Sequence, residues 1–332
     1  MKTILLCTYK YSNGNPANGV FDTMANFRRS LEDANGIVNH INFLVDEGTN
    51  FNGHDIGNYL IDLLSKNHVD VLVANFESEH DRFLIKKPIL KTIREKFGVK
   101  VVGWSGDIVA PYSQNACAKY CDYVDLSWTT DAENPVKSLK GKSLWFPFPI
   151  NTQYFYKDDT VLRDIDISYI GQTKYKDDLH KCYSRLGSSW KTFFHETRGW
   201  DHLHTGNYNY LPVQEYALAF KRSKISFNIG TTVSNLQQLK LRTLEILSCG
   251  AMLLEQESVV TAQKFTPYSE YVPFSDAADF ADKVNYYLSH DDERVAIANR
   301  GNERIKNQYS NVLLWKTILE RLYGRVDNDC GK

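Results

Sequence analysis

The sequence predicts an α/β protein built as two doubly wound units, each a parallel sheet flanked by helices. Three observations predict it. Short β-branched runs alternate with helical periodicity along most of the chain, which is the pattern of βα repeats. A length of 332 residues suits two domains of ordinary size. The rhythm breaks at FPFPINTQYFYKDDT, residues 146–160, where two prolines and a loss of periodicity mark a crossing between domains.

In the first unit, Thr3 to Thr8 reads as a strand, followed by the turn-rich loop YKYSNGNPANG. Val20, Met24, Phe27 and Leu31 recur at helical spacing up to Asn35-Gly36. Ile37–Val45, Val69–Phe76, Val99–Trp104, YVDLSW and SLWF read as further strands. Ile56–Ser65, Ile89–Phe97 and Ser113–Tyr120 read as helices between them. In the second unit the strands are Asp164–Gly171, Lys191–Phe194, Ile225–Ile229 and Ala251–Glu255. Helices follow through Leu186, over Gln237–Cys249, Asp276–Ser289 and Asp292–Gln308, and finally over Val312–Tyr323. That last helix carries Leu313, Leu314, Ile318 and Leu322 on one face, which either returns to the first unit or packs on its own. The expected division is 1–150, 151–308 and a closing helix in 309–332.

Composition narrows the function. Hydrophobic residues at 42% and charged residues at 24% exclude wholesale disorder. With 39 basic against 40 acidic side chains, the chain lacks the basic excess of a dedicated nucleic-acid binder. Twenty tyrosines fit surfaces that stack on sugars or bases. The six cysteines show no framework spacing, and Cys117 and Cys121 have no partner pair at zinc spacing. The apolar run after Lys2 is too short for a signal peptide, and no run reaches the ~20 apolar residues of a membrane span. A reduced, cytoplasmic protein without a transmembrane segment is expected.

Nucleotide P-loop, GxGxxG and GxSxG signatures do not occur. HETRGWDHLH, residues 195–204, lacks the HExxH spacing, and Asp164-Ile165-Asp166 begins an apolar strand where a metal-binding DxD would end one, so no metal site is expected. The informative block is SKISFNIGTTVSNLQQLKLRTLEILSCGAMLLE, residues 223–255. In it a strand and polar loop lead into a helix with Arg242 and Glu245 on one face. A guanidinium there can fork onto a diphosphate and a carboxylate can take both hydroxyls of a ribose. The same pair also reads as a plain ion pair on a surface helix. In the first unit, Asp107 after VVGW is the leading acceptor-side carboxylate or else an Asx turn, with Glu77 and Asp22 as weaker candidates. Gly19 would admit an anion near a helix start or simply turn the chain. His195 would meet a base or phosphate, or pack on Trp200.

The block ending LRTLEILSCGAMLLE resembles the donor-binding segment of group-1, CgeB-like glycosyltransferases of the GT-B fold, whose helix reads R-x-x-E-x-x-x-x-G before a strand. DISYIGQTKYKDDL, FPFPINTQYF, WSGDIVAPYSQNACAKYCDYVDLSW and residues 265–310 agree in order and spacing, so the resemblance covers roughly residues 99–310. It implies two Rossmann-like domains facing each other across a cleft, and a metal-independent, retaining transfer. The sugar would pass from a nucleoside diphosphate sugar, UDP favoured over GDP, to a hydroxyl on a glycan, lipid or protein glycan, with no cofactor. By the same resemblance Glu245 holds the ribose, Arg242 faces the diphosphate, Gly171 lets the backbone approach phosphate, and Lys174 is a further cation. Lys224 and Asn228 would face the donor from strand and loop. Where the family often has an earlier glutamate this chain has Gln237, which puts in doubt how the sugar hydroxyls are read. The alternatives are a DNA-modifying transferase of the phage type, for which only Lys86, Lys87, Lys91, Arg94 and Lys96 speak, and a catalytically inactive relative that binds nucleotide sugars.

Overall fold

A computed structural model describes residues 1–9, 22–45, 53–77, 84–172, 177–197, 211–232 and 235–324. The chain divides into two compact units: Met1–Pro149 together with the segment from Ser310 onward, and Ile150–Tyr309.

The first unit runs β1 (Lys2–Tyr9), α1 (Asp22–Asp33), β2 (Val38–Val45), α2 (Gly53–Lys66), β3 (Val71–Asn75), α3 (Lys87–Phe97), β4 (Lys100–Ser105), α4 (Pro111–Tyr120), β5 (Leu126–Thr129) and β6 (Ser143–Trp145). All strands are parallel, in the order β2-β1-β3-β4-β5-β6. Ile4, Leu5 and Leu6, like Val71, Leu72 and Val73, are wholly buried. Such continuous apolar runs belong to strands covered on both faces. Carboxylates fasten the strand starts: Asp70 accepts from the Thr3 amide at 2.8 Å and from Lys2 Nζ at 2.7 Å, and Asp125 accepts from the Val101 amide at 2.9 Å. Helix α3 begins on a proline and ends where Gly98 turns left-handed (φ 67°).

The chain returns to this unit through α11 (Asn311–Tyr323), capped by the Ser310 hydroxyl on the Leu313 amide. The buried stripe is Leu314, Trp315, Ile318 and Leu319, while Leu313 and Leu322 are only half-buried. Trp315 sets this register: its ring meets Trp128 edge-on and its Nε1 donates to Ser30 Oγ at 3.0 Å.

The second unit runs β7 (Ile165–Gln172), α5 (Asp177–Ser184), β8 (Thr192–Thr197), α6 (Val213–Arg222), β9 (Ser223–Asn228), α7 (Leu241–Ser248), β10 (Met252–Gln256), α8 (Val259–Ala262), β11 (Val272–Phe274), α9 (Ala277–Ser289) and α10 (Asp291–Gln308). Its parallel strands are ordered β11-β10-β9-β7-β8, so the winding reverses between β7 and β9. Buried serines let α6 lie close to this junction: Ser223 Oγ donates to Ser168 Oγ at 2.8 Å, and Ser168 and Ser226 share a hydrogen bond of 2.6 Å. Arg163 fastens three segments by donating to the carbonyls of Phe220, Ser223 and Cys249.

Two expectations change. Helix α7 starts at Leu241 and not at Gln237. Residue 237 instead bridges to Thr231, and Asn235 stands at φ 58°, a left-handed turn that no helix continues through. Helix α6 and strand β11 were not expected from periodicity at all. Residues 198–204 of the histidine-rich run lie outside the described residues, and His195–Thr197 finish β8.

Trp315→Ala should cost about 3–5 kcal/mol, because a wholly buried indole and its hydrogen bond are lost together. Urea unfolding would register this as a lower midpoint. An unchanged midpoint would mean that α11 adds nothing to the first unit.

Candidate functional site

In open parallel sheets, ligands bind beyond the carboxyl ends of the strands where the winding reverses. In the second unit that place lies between Gly171 at the end of β7 and Asn228 at the end of β9. The first turn of α7 brings Arg242 there. Its Nη1 donates to Asn228 Oδ1 at 2.9 Å, and its guanidinium carbon lies 5.2 Å from the centre of the Tyr169 ring. A Cβ on residue 171 would overlap the guanidinium, so only glycine admits Arg242 in this position. Arg242 Nε is buried without a hydrogen-bond partner. Burial works against the charge on Arg242, but the tyrosine oxygens of Tyr169 and Tyr216 and the Glu245 carboxylate outweigh it and leave its pKa above the ordinary value.

Glu245, one turn further, is 5% exposed. The Tyr216 hydroxyl on α6 donates to its Oε2 at 2.7 Å. Burial first, and then the Glu245 charge, push the Tyr216 phenol well above its ordinary pKa, so it acts as a donor throughout the working range. The surface ion-pair reading of α7 is corrected here: Thr243 through Ser248 are all buried. Behind Arg242, Asn228 Nδ2 donates to Thr243 Oγ1 at 3.1 Å, and Thr243 Oγ1 donates to Glu255 Oε2 at 2.7 Å.

Of the residues singled out from sequence, Gly171, Asn228, Arg242 and Glu245 thus come together. Lys224 does not. It lies at the opposite end of β9, where Nζ pairs with Asp166 at 2.7 Å. Asp164 is likewise taken by Arg222, at 2.7 and 2.6 Å, so the Asp-Ile-Asp run is an ion-paired strand entrance. His195 is half-buried on β8, in register with Ile170. Gln237 ties down its loop, accepting from the Val259 amide at 3.1 Å and donating to the Glu257 carbonyl at 3.3 Å. Lys174 and Gly19 lie outside the described residues. Tyr169, Tyr216, Thr243 and Glu255 were missed; the only signal in sequence was their polar character within apolar runs.

The first unit gathers acids at the carboxyl ends of β3, β4 and β5. Tyr112 donates to Asp107 Oδ2 at 2.7 Å, and Glu77 and Asp107 share a hydrogen bond between their side chains. A bond between two carboxyl groups needs a proton on one of them. Burial and the Asp107 charge push Glu77 up to about 8, so Glu77 carries that proton at neutral pH. Asp131, held by the amides of Ile108 and Val109, is pushed by burial to about 6. Among the described residues no group of three or more His, Cys, Asp or Glu is arranged to hold a metal ion.

Because Glu77 titrates higher in the folded chain than its ordinary 4.5, the folded state binds its proton more tightly. That stabilisation is complete below about pH 4.5 and fades as the pH rises through about 8. Glu77→Gln should therefore melt a few degrees above the natural protein beyond pH 8, and the gap should close in acid. Thermal melts across pH would check it, and a gap independent of pH would contradict it.

The family described as glycosyl transferase-like matches residues 174–320. No curated protein matches the chain. Among solved structures, HepE of Anabaena in complex with UDP-glucose is similar with a TM-score of 0.60 at 10% identity, over 97% of this chain and 99% of that one. Sucrose-phosphate synthase of Thermosynechococcus elongatus gives 0.62 at 10% identity over the same shares. A glycosyltransferase of Rickettsia africae gives 0.59 at 13% identity, again over 97% and 99%. The two parallel sheets are those of the GT-B fold, and the matched segment begins after Gly171 in sequence and contains Asn228, Arg242 and Glu245. Residues 174–320 are thus similar to a glycosyl transferase-like family, and the chain as a whole has the fold of these glycosyltransferase structures.

Proposed function

We propose that the protein transfers a sugar from a UDP-sugar to a hydroxyl acceptor, with the donor held by the second unit. The observation that carries this reading is the placement of Arg242 beside Glu245 at the reversal point of the sheet, inside the family segment. In this reading Arg242 meets the diphosphate and Glu245 the ribose, while Gly171 leaves room for both the guanidinium and a phosphate. No acidic residue occupies the first turn of α7, so the positive end of that helix adds to the same field. These fixed charges supply the stabilisation that a metal ion gives other transferases. The proposal therefore includes independence from metal. Lys174 is kept as a further cation on the donor phosphates. The choice of UDP is supported by HepE, whose structures hold UDP and UDP-glucose.

During transfer the acceptor oxygen bonds to the anomeric carbon as the bond from that carbon to the diphosphate oxygen breaks. Retention lets the departing phosphate oxygen take the acceptor's proton. The state of Asp107 supports this course. It already accepts from Tyr112 and is bonded to a Glu77 that carries a proton, so its suited role is to hold the acceptor hydroxyl. A glycan or similar polyol suits such a group. A nucleic acid suits it less, since the basic residues of α3 are engaged: Lys87 over Tyr120 and Tyr123, and Arg94 on Asp125. Among the described residues no helix is long and apolar enough to cross a membrane.

Thermal shifts with UDP, GDP, dTDP and CMP test the donor. UDP at a hundredfold excess over its Kd should raise Tm by about 5–10 °C, and Arg242→Ala or Glu245→Ala should weaken UDP at least about tenfold. A selective response to GDP, or none, would overturn the donor. Retained affinity in both variants would overturn the site. A UDP response without turnover of UDP-sugars on any acceptor would favour an inactive relative.

A further inference from the structure

Glu255 on β10 has no part in the reading above, yet it is the most deeply buried acid near the site, 0% exposed and in register with Asn228 on β9. A carboxylate at a strand position covered on both faces costs several kcal/mol unless donors surround it. Three do. Thr243 Oγ1 donates to Oε2 at 2.7 Å, Thr261 Oγ1 donates to Oε1 at 3.0 Å, and the Asn228 amide hydrogen-bonds the same carboxylate. Burial raises Glu255 above its ordinary value, and these bonds and the Arg242 charge offset that only in part. An apolar residue would fill the position at less cost, so the acid has another use.

Hydrogen-bond direction shows what that use is. A threonine hydroxyl has one proton, and Thr243 gives its proton to Glu255. Its oxygen can then only accept from Asn228, which fixes the amide with Nδ2 toward Thr243 and Glu255. The Asn228 Oδ1 is thereby turned toward Arg242 Nη1, 2.9 Å away. With an acceptor-only group at 255, the chain of bonds from Glu255 through Thr243 and Asn228 to Arg242 has one polarity. With a neutral amide there, Thr243 can reverse, the Asn228 amide can flip, and an NH2 group would face the guanidinium.

We propose that Glu255 is a positioning residue that sets the aim of the Arg242 guanidinium through Thr243 and Asn228. Its effect on the donor rests on the reading that Arg242 binds the diphosphate. The test is a double-mutant cycle in UDP affinity, by calorimetry, on the full chain with Glu255→Gln, Arg242→Ala and both. Glu255→Gln keeps the shape and should weaken UDP about tenfold, a coupling of usual size for residues in one network. In the Arg242→Ala background the same change should cost nothing further. If Glu255→Gln fails to fold, Thr243→Val breaks the same relay while Thr261 still holds the acid, and the same non-additivity is expected. A folded Glu255→Gln or Thr243→Val that binds UDP as the natural protein does, or loses the same factor without Arg242, would overturn the relay. In that case the loss in Arg242→Ala alone would leave the donor reading standing. A natural protein that takes up no UDP would overturn both.

Discussion

A guanidinium held in a largely dry place is the constraint on which the second unit is organised. An unpaired buried charge costs several kcal/mol, so the inward-facing part of the half-buried Arg242 needs partners, although its Nε finds none. The Tyr169 ring on β7 faces it, Asn228 on β9 accepts from it, and residue 171 must be glycine to leave it room. These partners come from the two strands between which the winding reverses. They also turn the cation toward the crevice that the reversal leaves. Tyr216 fixes Glu245 one turn along, so a cation and an anion stand side by side with their oxygens and nitrogens held by hydroxyls and amides.

The two units share the winding and differ in what they place at the strand ends. The second presents a cation backed by a buried acid. The first presents Glu77, Asp107 and Asp131 with the Tyr112 hydroxyl. In the proposed function the cation of the second unit suits an anionic donor, and the acids of the first unit suit a hydroxyl acceptor. The near-zero net charge of the whole chain is compatible with the proposed donor, since a diphosphate needs a few well-aimed donors and not a basic protein.

Much of the architecture was legible in the sequence because it rests on periodicity. The runs around Ile4–Leu6, Val71–Val73 and Met252–Leu254 are apolar without alternation, which only doubly covered strands require. Helix α6 was missed because Val213–Arg222 buries only part of one face and follows a polar run. The start of α7 was misplaced because the left-handed Asn235 and the Thr231–Gln237 bridge are tertiary choices that no propensity announces. Within the site, Arg242 and Glu245 were legible through their spacing and their resemblance to a known segment. Lys224 was misjudged for a geometrical reason. A strand of six residues has two ends, and only Asn228 is at the one that matters. Tyr216 and Glu255 were illegible because their significance lies in the partners they meet across elements.

Amide hydrogen exchange with and without UDP tests the central claim most directly, because it reports where the nucleotide acts without altering any side chain. The account predicts that UDP slows exchange at the ends of β7 and β9 and in the first turn of α7, around residues 169–172, 228–231 and 241–246. Protection confined to the strand ends of the first unit, or no protection at saturating UDP, would contradict it.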